Sequence, residues 1–416
     1  MPHDSNTPTR LLNAKSRLLE TFPSSCPPYA IVSHTWGTEE ISHAEWLLPA
    51  THRDKRQASK AGYRKIISAC SQTLADGLKY VWVDTCCIDR RNNNELCEAI
   101  NLMFSWYGNA AVCYALLSDV EHGTQLFPAE QQIQSRERLK ISADWSRKTQ
   151  RGVAAVRSSR WFTRGWTLQE TIAPHTVHFF DSKWIWLGAL RQPSILALVA
   201  DITGIDPALL AGRKALTDYS IAQRLSWAAK RQTTKPEDLA YSLLGIVGVN
   251  MILLYGEGPQ AFTRLQELIL ESSEDLSVLA WTHSISSARS QLLAPSPLDF
   301  QHCGRIAINI PGSQATMTEH WRTSRGLKGT FEVGEADLSD SPSPCKLILL
   351  GLHPVRAPGQ VIALPVKALN SAASSPIFKI DPMLAAQASS MIERLTTLDR
   401  RQLRNVSLLD CTILLG

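Results

Sequence analysis

Several short segments of the sequence combine hydroxyl, imidazole, carboxyl and indole groups, which are the side chains that bind or transform small molecules. They are Ser33-His-Thr-Trp36, Asp84 to Asp89, and Trp166-Thr-Leu-Gln-Glu170. Glu170 follows Trp166 by one helical turn, so both side chains project from one helix face. From the residues alone, Glu170 is a catalytic carboxylate, a solvated helical glutamate, or the ion-pair partner of Arg160 or Arg164.

The histidine and tryptophan side chains limit the kinds of site that the sequence could form. An imidazole at His34 could act as an acid or base, although a single loop histidine is more often structural. His175 and His178 are three residues apart on a predicted strand and point to opposite faces, so we predict no metal site. Trp36 and Trp166 lie at element edges beside polar residues, where an indole can stack on a planar ligand or seal the core. No Walker motif and no Gly-x-Ser-x-Gly elbow occurs.

The elements that must position these residues alternate between strands and helices. Apolar runs predict strands over 29–34, 80–84, 111–117 and 176–180, and helical periodicity predicts helices over 59–76 and 94–107. A β-α-β-α-β series predicts a parallel sheet, whose ligands bind beyond the carboxyl ends of the strands. Ser33, His34, Trp36 and Asp84 are therefore expected to lie along one sheet edge.

The rest of the chain has a different pattern. We predict an N-terminal extension over 1–28, an α/β domain over 29–190 with an inserted segment at about 121–157, and a helical segment over 191–283. The helices of that segment are expected at 220–230, 237–247 and 259–272. Residues 284–416 contain more Pro, Ser and Gly between short apolar runs, which predicts a β-rich C-terminal region.

Composition excludes several classes of protein. The chain has 416 residues, of which 44% are hydrophobic and 19% are charged, so it is expected to fold around hydrophobic cores. A net charge of +5 without a local basic patch gives no reason to expect nucleic-acid binding. The N-terminal residues contain no signal-peptide core, and the longest apolar run, 241–255, is interrupted, so no membrane segment is expected. Nine cysteines without a Cys-x-x-Cys motif predict reduced thiols and a cytoplasmic protein.

Four ordered motifs resemble the fungal heterokaryon-incompatibility (HET) domain. They are Tyr29-Ala-Ile-Val-Ser-His-Thr-Trp-Gly37, Tyr80-Val-Trp-Val-Asp-Thr-Cys-Cys-Ile-Asp89, Glu98-Ala-Ile-Asn101 with Trp106-Tyr107, and Ser159-Arg-Trp-Phe-Thr-Arg-Gly-Trp-Thr-Leu-Gln-Glu170. The segments 237–245 and 254–258 resemble the helical region that commonly follows this domain. Thr171 departs from the family pattern, which usually has leucine after the glutamate.

This resemblance implies a fold and a site. The HET family is considered similar to Toll/interleukin-1 receptor (TIR) domains, which implies a TIR-like (flavodoxin-like) parallel sheet. The Trp166-to-Glu170 spacing is that of the TIR element, with Thr167 in place of cysteine. In enzymatic TIR domains that glutamate helps cleave the nicotinamide–ribose bond of NAD. Glu170 is thus the catalytic candidate, with NAD as a substrate and no cofactor. The candidate binding residues are Ser33, His34, Trp36, Asp84, Asp89, Arg160, Arg164 and Trp166.

The family is associated with non-self recognition between fungal hyphae and with programmed death of incompatible cells. This association implies a protein partner in incompatibility signalling, and a homo-oligomer is a further expectation. Two alternatives stay open at this point. The same fold could serve as a non-enzymatic interaction module, or as a metabolic enzyme that reuses the HET fold, because fold alone does not determine activity.

Overall fold

The structure is a computed structural model of the 416-residue chain. The residues that it describes are 6–23, 25–49, 57–121, 126, 143–281, 292–308, 320–323, 326–336, 345–354, 362–370, 377–380 and 404–414. Contacts divide the chain into two units. Unit 1 comprises Met1–Lys214 and Arg231–Thr233, and unit 2 comprises Ala215–Lys230 and Thr234–Gly416. The domain boundaries expected from the sequence stay predictions.

Unit 1 contains a seven-stranded sheet. Its strands are β1 Arg10–Asn13, β2 Leu19–Thr21, β3 Tyr29–His34, β4 Tyr80–Trp82, β5 Val112–Leu116, β6 Val177–Phe180 and β7 Trp186–Ala189. They lie in the order β2-β1-β4-β3-β5-β6-β7. All residues of β3 and β5 are buried, as expected for central strands covered on both faces.

The four predicted strands form the centre of this sheet and pair in parallel, which confirms the α/β class. The parallel sheet predicted from these four strands is part of a larger mixed sheet, because β1, β2 and β7 pair antiparallel. Strands β1 and β2 lie within residues 1–28, for which the sequence predicts only an N-terminal extension. Strand β4 is shorter than predicted, because a short helix begins at Asp84.

Helices surround the sheet of unit 1. They are α1 His43–Trp46, α2 Ala61–Ala75, α3 Asp84–Cys87, α4 Asn93–Asn109, α5 Ala143–Arg157, α6 Thr167–Ile172, α7 Pro193–Thr203 and α8 Pro207–Leu210, with a 3-10 helix at Arg160–Thr163. Helix α4 begins after Asn92, whose side chain accepts from the first-turn amides. Of the insertion predicted at about 121–157, residues 122–125 and 127–142 lie outside the described residues.

Unit 2 begins with helices and continues with strands. Its helices are α9 Ile221–Ser226, α10 Asp238–Tyr241, α11 Leu244–Val247 and α12 Gln260–Ser272, with 3-10 helices at Leu216–Asp218, Leu276–Leu279, Pro297–Phe300 and Cys303–Arg305. Two short helices thus replace the single helix predicted over 237–247. The break follows Ser242, and Gly248 ends the second helix in the left-handed conformation.

The strands of unit 2 form a second seven-stranded sheet. They are β8 Ile306–Ile308, β9 His320–Thr323, β10 Gly326–Ala336, β11 Cys345–Pro354, β12 Ile362–Asn370, β13 Ile377–Ile380 and β14 Arg404–Leu414. Their order is β8-β11-β12-β13-β14-β10-β9, and β13 with β14 is the parallel pair. The C-terminal region is therefore rich in strands, as the apolar runs predict.

Two further sequence expectations concern the thiols and the membrane. The cysteines whose side chains are described are all free, at 26, 70, 86, 87, 97, 113 and 303. The side chains of Cys345 and Cys411 lie outside the described part of the structure. Among the helices of the described ranges, none has both the length and the apolar composition that crossing a bilayer would need.

Candidate functional site

The site is built on the carboxyl end of β3. Ser33 and His34 are successive residues of this strand and are 0% and 4% exposed. Because side chains alternate along a strand, the two point to opposite faces of the sheet. Two polar clusters follow from this arrangement, one around Ser33 and one around His34.

The first cluster joins Ser33 to Glu170 on α6. The Ser33 hydroxyl donates a short hydrogen bond to a carboxyl oxygen of Glu170. The indole N–H of Trp161 donates to the same Ser33 oxygen at 2.8 Å. Because the Ser33 oxygen already accepts a hydrogen bond from Trp161, its own proton points toward Glu170. Trp161 therefore fixes Ser33 as a hydrogen-bond donor to the carboxyl group.

Glu170 is unusual in its protonation. It is 6% exposed, and burial raises its pKa from 4.5 to about 7. The hydrogen bond from Ser33 opposes this rise, the negative charge of Asp84 adds to it, and Arg164 and the Tyr107 hydroxyl oppose it. A carboxyl group with this pKa exists in both protonation states near neutral pH, which is the property that acid–base and ion-stabilising catalysis uses.

A buried guanidinium supports the helix that carries Glu170. Arg231 is 6% exposed and donates to the carbonyl oxygen of Arg164 at 2.8 Å and to the Thr167 hydroxyl at 2.9 Å. Burial lowers the pKa of Arg231 to about 9, and the negative charge of Glu170 opposes that shift. The first turn of α6 and the residues before it are thus held by an arginine from a distant part of the sequence.

The second cluster surrounds His34. Its Nε2 atom lies 3.6 Å from Asp84 Oδ1 and 3.8 Å from Glu40 Oε1. Lys65 Nζ pairs with Glu40 Oε2 at 2.5 Å, and both side chains are largely buried. Burial and the charge of Lys65 lower the pKa of His34 to about 4, so the imidazole is neutral at neutral pH. Within the described residues, His34 Nε2 and Asp84 Oδ1 have no hydrogen-bond partner.

Trp36 extends this cluster toward the surface. Its indole N–H donates to Asp84 Oδ2 at 2.9 Å. The Arg90 guanidinium lies 4.1 Å from the ring centroid of Trp36, and that of Arg164 lies 6.0 Å from it. Burial would raise the pKa of Asp84, but the neighbouring imidazole, the cations Arg90 and Lys65 and the Trp36 hydrogen bond bring it below the ordinary value. Asp84 is therefore an anion in this cluster.

The predicted binding residues divide into two groups. Ser33, His34, Trp36, Asp84 and Arg164 lie in or beside the two clusters, through the contacts given above. Asp89 is held by Arg91, whose guanidinium hydrogen bonds lower its pKa to about 2. Arg160 has an exposed side chain that faces Asp119 at 3.7 Å. Trp166 is half-buried at the start of α6.

The structure excludes one of the readings that the sequence left open for Glu170 and narrows the ion-pair reading to Arg164. Its burial excludes a solvated helical glutamate, and the position of Arg160 beside Asp119 excludes an ion pair with that arginine. Arg164 contributes a charge that favours the ionised carboxylate. Glu170 is thus a buried carboxyl group whose close hydrogen-bond partner is Ser33.

Several residues of the clusters were not found from the sequence. They are Glu40, Lys65, Arg90, Tyr107, Trp161 and Arg231. Tyr107 and Trp161 belong to the quoted motifs, but an aromatic residue in a motif gives no sign by itself of a polar partner. The N–H of an indole is the signal that could have pointed to a polar partner for Trp161. For Arg231, more than 60 residues after Glu170, no local pattern gives a signal.

The site offers no metal-ligand set in the described ranges, where no three His, Cys, Asp or Glu side chains are grouped to hold an ion. Its groups suit a polar organic ligand. The Ser33 cluster provides a carboxyl group near its pKa, and the His34 cluster provides an anionic carboxylate, a neutral imidazole, and an indole flanked by two guanidinium groups. Such a set can hydrogen-bond sugar hydroxyls and stabilise a positive charge that develops on a sugar ring.

The chain was compared with known proteins. Residues 29–170 match the family model described as Heterokaryon incompatibility protein (HET). The chain is 44% identical over 246 residues to the vegetative incompatibility protein HET-E-1 of Podospora anserina. This similarity covers 58% of the chain and spans only 16% of that relative's length. No solved structure matches the chain. The comparisons thus confirm, for residues 29–170, the heterokaryon-incompatibility family that the sequence motifs indicate.

Proposed function

We propose that this chain acts in heterokaryon incompatibility, the recognition of non-self and death of incompatible fused fungal cells, and that unit 1 cleaves NAD. The match of residues 29–170 to the HET family and the similarity to a vegetative incompatibility protein support the cellular role. The observation that carries the chemical proposal is the buried Glu170 carboxyl group, with its pKa of about 7, bonded to Ser33 at the end of a central parallel strand.

A TIR-like fold is part of the proposal. The four parallel strands lie in the order β4-β3-β5-β6, which corresponds to the order 2-1-3-4 that begins a flavodoxin-like sheet. Glu170 lies on the short helix before β6, four residues after Trp166. This placement supports the likeness to the TIR element, in which the same spacing carries the catalytic glutamate.

The reaction would break the bond between C1′ of the ribose and the nicotinamide nitrogen. The bonding electrons go to nitrogen, so the cationic ring leaves as neutral nicotinamide and needs no acid. Positive charge develops on the ribose, and the Glu170 carboxylate would stabilise it through charge and hydrogen bonds to ribose hydroxyls. Water then adds to C1′ and gives up a proton, which Glu170 can accept because its pKa is near 7. The products are ADP-ribose and nicotinamide.

Access to Glu170 requires a change of conformation. The residue is 6% exposed, whereas Arg164, whose charge acts on Glu170, and Trp36, which lies beside Arg164, are half-exposed. We propose that these two side chains move aside when substrate binds, and that self-assembly of the chain, or binding of a protein partner, favours the open form. An enzyme that is closed until it assembles is suited to a death response, because unassembled protein would spare cellular NAD.

Expression in a fungal host tests the proposal. Wild-type protein is expected to lower cellular NAD and cause death, and Glu170→Gln is expected to abolish both. Glu274→Gln is the matched control, because Glu274 is an exposed glutamate outside both clusters. Both effects should persist in this control. Death and NAD loss at wild-type levels in Glu170→Gln would refute the catalytic role. Death without NAD loss would instead favour the interaction-module alternative.

A further inference from the structure

A cleft that Glu170 does not line opens at the carboxyl edge of the sheet in unit 1. It has a volume of about 410 Å³, within the usual range of small-molecule sites. Its walls are the residues that follow β3 and β5, the first half of α2, and the turn between β6 and β7. The residues that could recognise a ligand there include Thr35, Arg64, Ser118, Lys183 and Trp184.

The position of the cleft is that of a ligand site in open α/β sheets. Strand β3 lies between β4 and β5, so the chain leaves β3 to one side and later returns to pair on its other side. Ligands of such sheets bind where the strand order reverses in this way. At that point Thr35 Oγ1 and Ser118 Oγ lie 3.3 Å apart, one after each strand.

The charges of the cleft favour an anion. Lys65 is neutralised by Glu40, and the Glu39 carboxylate accepts from the Ala61 amide at 3.2 Å. The exposed Arg64 donates to the carbonyl oxygen of Ser59, so its charge is not neutralised. The ammonium group of Lys183 makes no ion pair with any residue that the structure describes. Arg64 and Lys183 thus outweigh the negative charge of Glu39, and the charged residues that line the cleft sum to +1.

The turn that carries Lys183 has a strained backbone. Trp184 has a φ of 62°, a left-handed conformation that is rare for a bulky side chain. Asp181 holds the turn, because its carboxylate accepts from the amides of Lys183 and Ile185 at 2.8 and 2.9 Å. The Trp184 ring packs on Phe180 with 5.5 Å between centroids. Strain of this kind persists where the surroundings enforce it, commonly at binding sites.

We propose that this cleft binds the phosphate groups of a nucleotide between Lys183 and Arg64, with the Thr35 and Ser118 hydroxyls donating to phosphate oxygens. Trp184 would contact the neighbouring ribose or base. The inference rests on the proposed function, since it assigns the cleft to the diphosphate of NAD. Thr35 follows Ser33 by two residues, about 7 Å along an extended chain. One dinucleotide could therefore contact both the cleft and the Glu170 cluster.

Equilibrium binding of ADP-ribose to the full chain tests the cleft. Lys183→Ala and Arg64→Ala are each expected to weaken binding about tenfold, the loss of one charge-assisted contact. Lys15→Ala is the control, because Lys15 is an exposed lysine that lines a separate concave surface. Pyrophosphate should compete with ADP-ribose, and adenosine should not.

The outcomes separate this inference from the proposed function. Unchanged affinity in Lys183→Ala and Arg64→Ala, or no binding of ADP-ribose by wild-type protein, would overturn the cleft assignment. Cleavage of NAD with an unaltered KM in both variants would overturn it too, while leaving the proposed function intact. Lys183-dependent binding of ADP-ribose by a protein that releases no nicotinamide would support the cleft and refute NAD cleavage.

Discussion

Two buried glutamates, one in each unit, have opposite electrostatic environments. Glu170 in unit 1 is 6% exposed and Glu237 in unit 2 is 5% exposed. The Glu237 carboxylate accepts hydrogen bonds from the backbone amides of Gly256 and Gly258 at 2.8 and 3.0 Å. The pKa of Glu237 lies below its ordinary value because the backbone amides of Glu237 itself, Gly256 and Gly258 donate hydrogen bonds to the carboxylate. Burial acts in the other direction and would raise this pKa. Burial instead dominates at Glu170 and raises its pKa to about 7.

The difference shows that burial alone does not make a carboxyl group reactive. Several backbone amides stabilise the charged form of Glu237 and make it a fixed structural acceptor. Glu170 accepts a hydrogen bond from the Ser33 hydroxyl and remains able to change protonation state near neutral pH. Both residues lie in motif segments of the sequence, so the hydrogen-bond donors around each one decide which is a candidate for catalysis.

The largest expected effect is on the pH dependence of stability. Between pH 4.5 and 7 the folded protein keeps the Glu170 proton and the unfolded chain releases it, so rising pH favours unfolding. Glu170→Gln cannot ionise. Its free energy of unfolding should therefore rise relative to wild type by about 3 kcal/mol across this window, as measured by urea denaturation.

The control for this pH effect is Glu237→Gln. Because the pKa of Glu237 is lowered, its contribution to stability is present at higher pH and is lost as pH falls. The free energy of unfolding of Glu237→Gln should thus fall relative to wild type as pH rises, whereas that of Glu170→Gln should rise. Parallel pH profiles for the two variants would contradict the contrast between the two sites.

A smaller effect is expected from removing the Glu237 carboxylate. Glu237→Ala leaves the amides of Gly256 and Gly258 without their acceptor, which should cost about 2 kcal/mol of unfolding free energy. Glu274→Ala removes an exposed glutamate of the same unit and should change stability little. Chemical denaturation measures both. Equal losses in the two variants would show that the Glu237 contacts are not structural.

The smallest expected effect tests how Ser33 is oriented. Trp161→Phe removes the indole N–H that fixes the Ser33 hydroxyl, so donation to the Glu170 carboxylate should weaken. The pKa of Glu170 should then rise by up to about one unit, seen as a shift of the pH profile of nicotinamide release. Trp82→Phe is the packing control, since Trp82 is a buried core tryptophan. A pH profile that shifts equally in both variants would make the Trp161 effect one of packing.

Sequence patterns predicted the centre of unit 1 well, because a buried parallel strand is a local run of apolar residues. The runs at Tyr29–His34 and Val112–Leu116 are examples. The strand Arg10–Asn13, which lies between β2 and β4, was missed because it has only four residues and its partner β4 is far away in the sequence. A strand of four residues is too short to show a clear alternation of apolar and polar side chains, so only its pairing identifies it.

The candidate site was predicted in part for a similar reason. Ser33 lies in the last two residues of β3, and Trp36 and Asp84 follow the ends of β3 and β4, so the topology brings the three to one edge. Lys65 belongs to helix α2, and Arg231 belongs to the last sequence segment of unit 1. Their contacts with the clusters depend on tertiary packing, which no local pattern reveals. The pKa of Glu170 could not be predicted either, because it depends on burial and on donors such as Ser33.

Release of nicotinamide from NAD by the purified full chain, both unassembled and after induced oligomerisation, tests the role of Glu170 most directly. Wild-type protein should release nicotinamide, faster when assembled. Glu170→Gln should lower the rate by about a hundredfold or more, with a melting temperature at least as high as that of wild type. Glu237→Gln should keep the wild-type rate. Full activity of Glu170→Gln, or no nicotinamide from wild-type protein in either state, would contradict the assignment of Glu170 as the catalytic carboxylate.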